Sequence, residues 1–193
     1  MGLPVFILSS RAGKIAAASA RMNGGKRVVL DGGPKALVCI HPGGSCRDFA
    51  GEPVKDEDVQ AILAAGMAAP SAKNSQPWSF VVMRTPESLQ RIPQSKPLTT
   101  YALKAGVAIL VCADVSPRPG SHLAVVSTAI CVQNMLLAAH ALGYGGVYME
   151  IYPDESQIKA WRSMVNLPEH MVPLTVLAIG KPNSYLPPEN RMD

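Results

Sequence analysis

A polar loop between two prolines carries groups that can hold a flat polar ligand. Pro70 opens the loop, Ser71, Asn74 and Gln76 follow, and Pro77 closes it. Hydroxyl, amide and backbone donors at this spacing can hydrogen-bond the edge of a polar heteroaromatic ring. Composition alone favours the alternative, which is an ordinary connection between a helix and a strand.

A second stretch combines a hydroxyl with a guanidinium. Ser45 and Arg47 are two positions apart, so an extended backbone turns both side chains to the same side. The pair can bind a phosphate, because a guanidinium donates paired hydrogen bonds to phosphate oxygens. Taken by itself, the stretch favours the alternative in which Arg47 is a charge on the protein surface.

The histidines and cysteines do not form a metal-binding pattern. The histidines are too far apart in sequence to indicate a shared ligand set, and no two cysteines have the spacing of a zinc site or a CxxC redox motif. We therefore expect no metal. We interpret the cysteines as reduced thiols of a cytoplasmic protein; they are Cys39, Cys46, Cys112 and Cys131.

The elements that must position these groups follow from hydrophobic periodicity. Acidic residues at 56–58 begin a helix whose apolar positions recur to Met67, and Pro70 ends the run. A long apolar helix is predicted over 123–142, ended by Gly143. The other apolar runs predict strands over 80–83, 107–112, 146–151 and 174–179 and a helix over 155–165. This alternation indicates a layered α+β or α/β domain built on one sheet.

Composition excludes several classes of protein. The 193 residues are 48 % hydrophobic with a net charge of +4, which excludes intrinsic disorder. The basic residues form no stripe, so we expect no nucleic-acid partner. The apolar stretch 123–139 is interrupted by polar residues, so we expect a buried core helix and no membrane span.

Several motifs, in order along the chain, resemble those of the FMN-dependent nitroreductase family. Ser45, Arg47 and Phe49, followed by Pro53-Val54, are similar to its opening segment. Further matches are Ala69-Pro70-Ser71, Asn74 and Gln76-Pro77-Trp78 in the loop, residues 133–143 in the central helix, 148–153 at the flavin-facing strand end, and 167–182 around the closing strand. The resemblance spans roughly residues 36–193. It implies an α+β nitroreductase-like fold, with a central mixed sheet flanked by helices.

The resemblance also implies a homodimer with FMN at the subunit interface. One subunit would direct Ser45, Arg47 and Arg191 to the phosphate and ribityl chain. The other would bring Pro70, Ser71 and Asn74 to the flavin, with Gln76 in the same cofactor-binding set. Met149 and Glu150 would present backbone groups near the reactive nitrogen of the ring. Because the flavin carries the hydride chemistry, we expect no catalytic side chain.

The implied activity is NAD(P)H-dependent reduction of nitroaromatics, quinones or a similar electron-poor acceptor. One alternative is a catalytically weak or FMN-free relative that serves as a scaffold. Another is a flavin-fragmenting or dehalogenating member, although the short stretch 94–104 leaves little room for a large substrate-covering segment. Gly43 stands where the family has an arginine, so FMN is expected to bind more weakly than the family pattern gives.

The first 35 residues differ from the rest of the chain. They contain two Gly-Gly pairs and no amphipathic period, which predicts a loosely held extension with few buried contacts. We therefore expect a nitroreductase-like domain at 36–193.

Overall fold

A computed structural model describes residues 7–9, 44–117 and 122–184. Gly43, Arg191 and most of the stretch 1–35 lie outside the described residues. Within that stretch, the backbone of Ile7–Ser9 pairs with a strand of the domain. The boundary at residue 35 stays a prediction.

Within the described residues, five strands form one sheet in the order β1-β2-β3-β5-β4. They are β1 (Ile7–Ser9), β2 (Trp78–Met83), β3 (Val107–Asp114), β4 (Gly145–Glu150) and β5 (Met171–Gly180). All four pairings among the described strands are antiparallel. The expected α+β class is confirmed, but the expectation of a mixed sheet is wrong for the described strands.

The order of the strands along the chain explains why the sheet is not mixed. β3 and β4 run parallel to each other, and the helix between them is a crossover connection. β5 then lies between these two strands and is antiparallel to both. The alternation of helices and strands in the sequence therefore correctly indicates two parallel strands, β3 and β4. These two strands are not neighbours in the sheet, so they form no parallel pairing.

Helices cover the two faces of the sheet. On one face lie α1 (Asp56–Met67) and α3 (Leu123–Ala141), over a core that includes Trp78, Phe80 and Ile109. On the other face lie α2 (Pro86–Ser95), a 3-10 segment (Pro97–Lys104) and α4 (Glu155–Met164), with a core that includes Leu110, Trp161 and Val176. Burial of these large side chains holds the three layers together, since each contributes about 1.5–3 kcal/mol.

α1 and α3 approach closely because Gly66 has no side chain. A Cβ at this position would lie 2.6 Å from Cγ of Met135 and 2.9 Å from Sγ of Cys131. Glycine therefore sets the distance between the two helices.

α3 is only half buried. Its inner face carries Thr128, Cys131 and Met135, whereas Leu123, Val126 and Ile130 on the outer face are 47, 55 and 41 % exposed. Among the described residues, it is the one helix whose length and composition would allow it to cross a membrane. The prediction of a long helix is confirmed, but the expectation that it is a buried core helix holds for one face only.

Four elements were not predicted from the sequence, namely β1, α2, the 3-10 segment and a short 3-10 turn at Ala72–Asn74. The start of α2 had a readable signal: Thr85 accepts a hydrogen bond from the N–H of Ser88, and Pro86 occupies the first helical position. Pro93 inside the helix and Pro97 after it hid the periodicity.

Candidate functional site

A cavity of about 520 Å³ lies at the outer edge of β4. Its walls include four of the residues singled out from the sequence, which are Ser45, Arg47, Met149 and Glu150. The remaining lining residues are Lys96, Leu98, Thr99, Tyr101 and Tyr148. The volume falls within the range of small-molecule and cofactor sites.

The segment carrying Ser45 and Arg47 is fixed against β4. The N–H of Cys46 donates to the carbonyl oxygen of Gly146 at 2.9 Å. A Cβ on Gly145 would lie 2.6 Å from Cβ of Cys46, so the glycine permits this close approach. Both residues that flank Cys46 consequently line the cavity.

The guanidinium of Arg47 is available to an anionic ligand. Its central carbon lies 5.9 Å from the centre of the Tyr101 ring, which is within cation–π range. The ion pairs among the described residues join Arg84 to Asp56 and Lys181 to Glu52, so no described carboxylate pairs with Arg47. An exposed, uncompensated guanidinium next to a hydroxyl is suited to phosphate.

Glu150 presents its backbone to the cavity and Met149 does not. The carbonyl oxygens of Gly146 and Glu150 accept bonds from Cys46 and Lys96, so both point away from β5. In an antiparallel strand, the N–H and the C=O of one residue point to the same side, and successive residues alternate between the two sides. The N–H of Glu150 therefore also faces outward. The carbonyl oxygen of Met149 instead accepts a bond from the Thr175 hydroxyl within the sheet.

The side chain of Glu150 is paired with Tyr148. The Tyr148 hydroxyl donates to Oε1 of Glu150 at 3.2 Å. Burial, and then this hydrogen bond to Glu150, raise the pKa of the Tyr148 hydroxyl, which therefore stays protonated at neutral pH. Both side chains are exposed at the cavity.

The proline-bounded loop has a strained backbone held by its own polar groups. Lys73, Asn74 and Gln76 have positive φ values of 56°, 52° and 44°. Oγ of Ser71 accepts a bond from the N–H of Gln76 at 3.0 Å, and Nε2 of Gln76 donates to Oδ1 of Asn74 at 3.3 Å. Such strain costs about 1–3 kcal/mol per residue and is concentrated at functional sites. Pro70 lies exposed at the start of this loop.

Asn74 lines a second, smaller cavity of about 210 Å³. This cavity lies next to the start of α3, with Leu123 and Ala124 in its wall and Asp114 on another side. The N–H of Ala72 donates to Oγ of Ser127 on α3, which fixes the loop to that helix. Pro70, Ser71 and Gln76 belong to the same loop but do not line this cavity.

One chain does not bring the two sets of predicted residues together. β3 and β5 lie between β2, which follows the loop, and β4. Three interstrand spacings place β2 and β4 about 14 Å apart. The loop is also attached to α3, whereas Lys96 and Thr99 of the first cavity belong to the layer on the opposite face of the sheet. Arg191 lies outside the described residues.

Sequence reasoning missed half of the larger cavity. Lys96, Leu98, Thr99 and Tyr101 come from the unpredicted turn after α2, where no periodicity marked an element. Tyr148 had a signal, since it stands two residues before Glu150 and so shares its face of β4.

The cysteines and acidic residues show no metal chemistry where the structure describes them. Within 7–9, 44–117 and 122–184, no three His, Cys, Asp or Glu side chains cluster as metal ligands would. Burial raises the pKa of Cys112 and of Cys131 to about 12, so both remain thiols at neutral pH.

Comparison with known proteins identifies the family of this chain. The model of the Nitroreductase family matches residues 44–96 and 94–181. A Methanothermobacter thermautotrophicus protein, provisionally named NADH dehydrogenase/NAD(P)H nitroreductase, is 38 % identical over 146 residues, which are 76 % of each chain.

Solved structures agree with this match. A Bacteroides thetaiotaomicron structure with the same provisional name has a TM-score of 0.77 and 33 % identity, and the alignment covers 83 % of this chain and 94 % of that one. The NADPH:FMN oxidoreductase of Vibrio harveyi, complexed with NAD+, has a TM-score of 0.72 and 26 % identity, over 82 % of this chain and 74 % of that one. The resemblance seen in the sequence motifs is thus confirmed, and the chain belongs to the Nitroreductase family.

Proposed function

We propose that this protein is a cytoplasmic, homodimeric, FMN-dependent oxidoreductase that uses NAD(P)H to reduce nitroaromatics, quinones or similar electron-poor acceptors. The observation that carries the proposal is the cavity at the edge of β4, which collects Ser45, Arg47 and the outward N–H of Glu150. Family membership and the names of the relatives, which include an NADPH:FMN oxidoreductase and an FMN reductase, support it.

The donors in the cavity fit FMN. Ser45 and Arg47 would hold the phosphate end, because a hydroxyl and a free guanidinium together satisfy phosphate oxygens. When bound, FMN supplies hydride acceptance from NAD(P)H and electron delivery to the acceptor. The N–H of Glu150 would donate a hydrogen bond to the reactive nitrogen of the ring, stabilising the charge that develops there.

The second half of the site would come from the partner subunit. The loop with Pro70, Ser71, Asn74 and Gln76 lies about 14 Å or more from β4 within one chain, by the strand spacing. The loop is attached to α3, whose outer face exposes an apolar stripe of Leu123, Val126 and Ile130. Burying that stripe against a second copy would place this loop at an interface.

Subunit complementation tests the two-chain site. Homodimers of Arg47→Ala and homodimers of Asn74→Ala are each expected to bind FMN weakly. After unfolding and refolding a one-to-one mixture, half of the dimers are hybrids, each with one intact site, so about a quarter of the sites recover. Recovery is measured by quenching of FMN fluorescence. No recovery in the mixture, with both variants folded and dimeric, would contradict the shared site.

Activity is tested on the purified protein loaded with FMN. We expect oxidation of NADH or NADPH that depends on added nitroaromatic or quinone. The alternative of a catalytically weak scaffold predicts bound FMN without turnover, or a folded dimer that binds no FMN. Either result would overturn the proposed activity.

A further inference from the structure

The end of β4 is held from two opposite directions. On the sheet side, the buried hydroxyl of Thr175 donates to the carbonyl oxygen of Met149 at 2.9 Å. On the cavity side, Nζ of Lys96 donates to the carbonyl oxygen of Glu150 at 3.0 Å. The Met149 carbonyl shares its peptide unit with the N–H of Glu150, and the Glu150 carbonyl belongs to the next unit, so each of the two peptide units that flank the Glu150 Cα is held by one contact.

The lysine comes from a well-anchored turn. The N–H of Lys96 donates to the carbonyl oxygen of Ile92 at the end of α2. Its own carbonyl oxygen accepts two bonds from Thr99, one from the N–H at 3.0 Å and one from the hydroxyl at 2.6 Å. Thr99 is buried, with 3 % of its surface exposed. The ammonium therefore extends from a fixed point on a separate layer of the fold.

We propose that Lys96 is a positioning residue, which keeps the Glu150 N–H directed into the cavity and adds a positive charge next to it. This inference rests on the proposed function, because the role is defined toward the flavin ring. A reduced flavin carries more negative charge than an oxidised one. A fixed N–H and a nearby ammonium therefore stabilise the reduced form more than the oxidised form.

The contact is also placed where it can affect selection of the acceptor. Lys96 lines the same cavity as Tyr148 and Glu150. Removal of the ammonium would thus change the cavity wall as well as the strand end. Kinetics can separate the two effects. A changed cavity wall alters KM for the acceptor, whereas a changed strand end alters the rate of flavin reduction.

The test uses Lys96→Met, which keeps the stem and removes the charge, and Lys96→Arg as the conservative variant. Lys159→Met, on the exposed face of α4, is the matched control. The first readout is amide hydrogen exchange over residues 146–152 in the protein without cofactor. The second is the ratio of dissociation constants for reduced and oxidised FMN, together with the rate of flavin reduction by NAD(P)H in a single turnover.

In Lys96→Met we expect exchange over 146–152 to become at least about threefold faster. We expect binding of reduced FMN to weaken relative to oxidised FMN by about tenfold, which is a potential lower by about 30 mV for a two-electron couple. The rate of flavin reduction should fall together with the potential. In Lys96→Arg and Lys159→Met, the exchange rate, the affinity ratio and the rate of flavin reduction should stay close to those of the unchanged protein.

Two results would overturn the inference while FMN binding itself is normal. One is unchanged exchange in Lys96→Met. The other is faster exchange with an unchanged affinity ratio, which would make the contact merely structural. Failure of the proposed function is a different result, because the unchanged protein would then not bind FMN at all.

Discussion

Replacement of Arg47 by alanine is expected to weaken FMN binding without weakening the fold. Arg47 is exposed, and its described contact is with the Tyr101 ring at 5.9 Å, so the side chain contributes little to folding. A charge-assisted hydrogen bond to phosphate contributes about 1.5–3 kcal/mol. At about 1.4 kcal/mol per factor of ten, the dissociation constant should rise about ten- to a hundredfold.

The assay is a titration of the protein without cofactor, followed by quenching of flavin fluorescence. Tyr101→Leu should weaken binding only about two- to fivefold, because an exposed cation–π contact contributes about 0.5–1 kcal/mol. The reciprocal change, Gly43→Arg, should tighten binding by restoring the arginine expected there. Lys159→Ala serves as the control for a general loss of positive charge. If Arg47→Ala matched Lys159→Ala, the phosphate would not bind at this segment.

Three further changes test the fold and the interface. Gly66→Ala should lower the melting temperature by about 2–12 °C, because overpacking costs about 1–3 kcal/mol in a chain of this size; Gly44→Ala, with open space around its Cβ, should leave it unchanged in the same thermal scan. Val126→Asp combined with Ile130→Asp should give a monomer that no longer binds FMN, and a dimer in sedimentation would refute the assignment of this stripe to the interface. Deletion of residues 1–35 removes a three-residue edge strand and should lower the melting temperature by less than about 8 °C; a larger fall would mean that the segment packs on the domain.

The fold was predictable where hydrophobic periodicity was undisturbed. α1 and α3 each have an apolar pattern that ends at a proline or a glycine, and the strands β2 to β5 contain short apolar runs. The insertion of β5 between β3 and β4 was not predictable, because strand order depends on contacts far apart in sequence. The exposed outer face of α3 was not predictable either. Both of its faces carry apolar residues, so the sequence pattern does not show which face packs on the sheet.

Individual residues of the candidate site could be proposed from the sequence, but their arrangement in space could not. Motifs identified Ser45, Arg47 and Glu150, and the structure brings all three to one cavity. Lys96 and Tyr101 could not be identified, because an irregular turn has no period that indicates which side chains face inward. The separation of the Asn74 loop from this cavity became visible only once the sheet order was known.

We propose that each FMN site is formed by two chains together, and sedimentation velocity monitored at the visible absorption of the flavin is the decisive measurement. At micromolar protein concentration, flavin should sediment with a particle of about twice the 20.4 kDa chain mass, at about one flavin per chain. Flavin that sediments with the single 20.4 kDa chain would contradict the shared site. A dimer that carries no flavin would contradict the cofactor assignment.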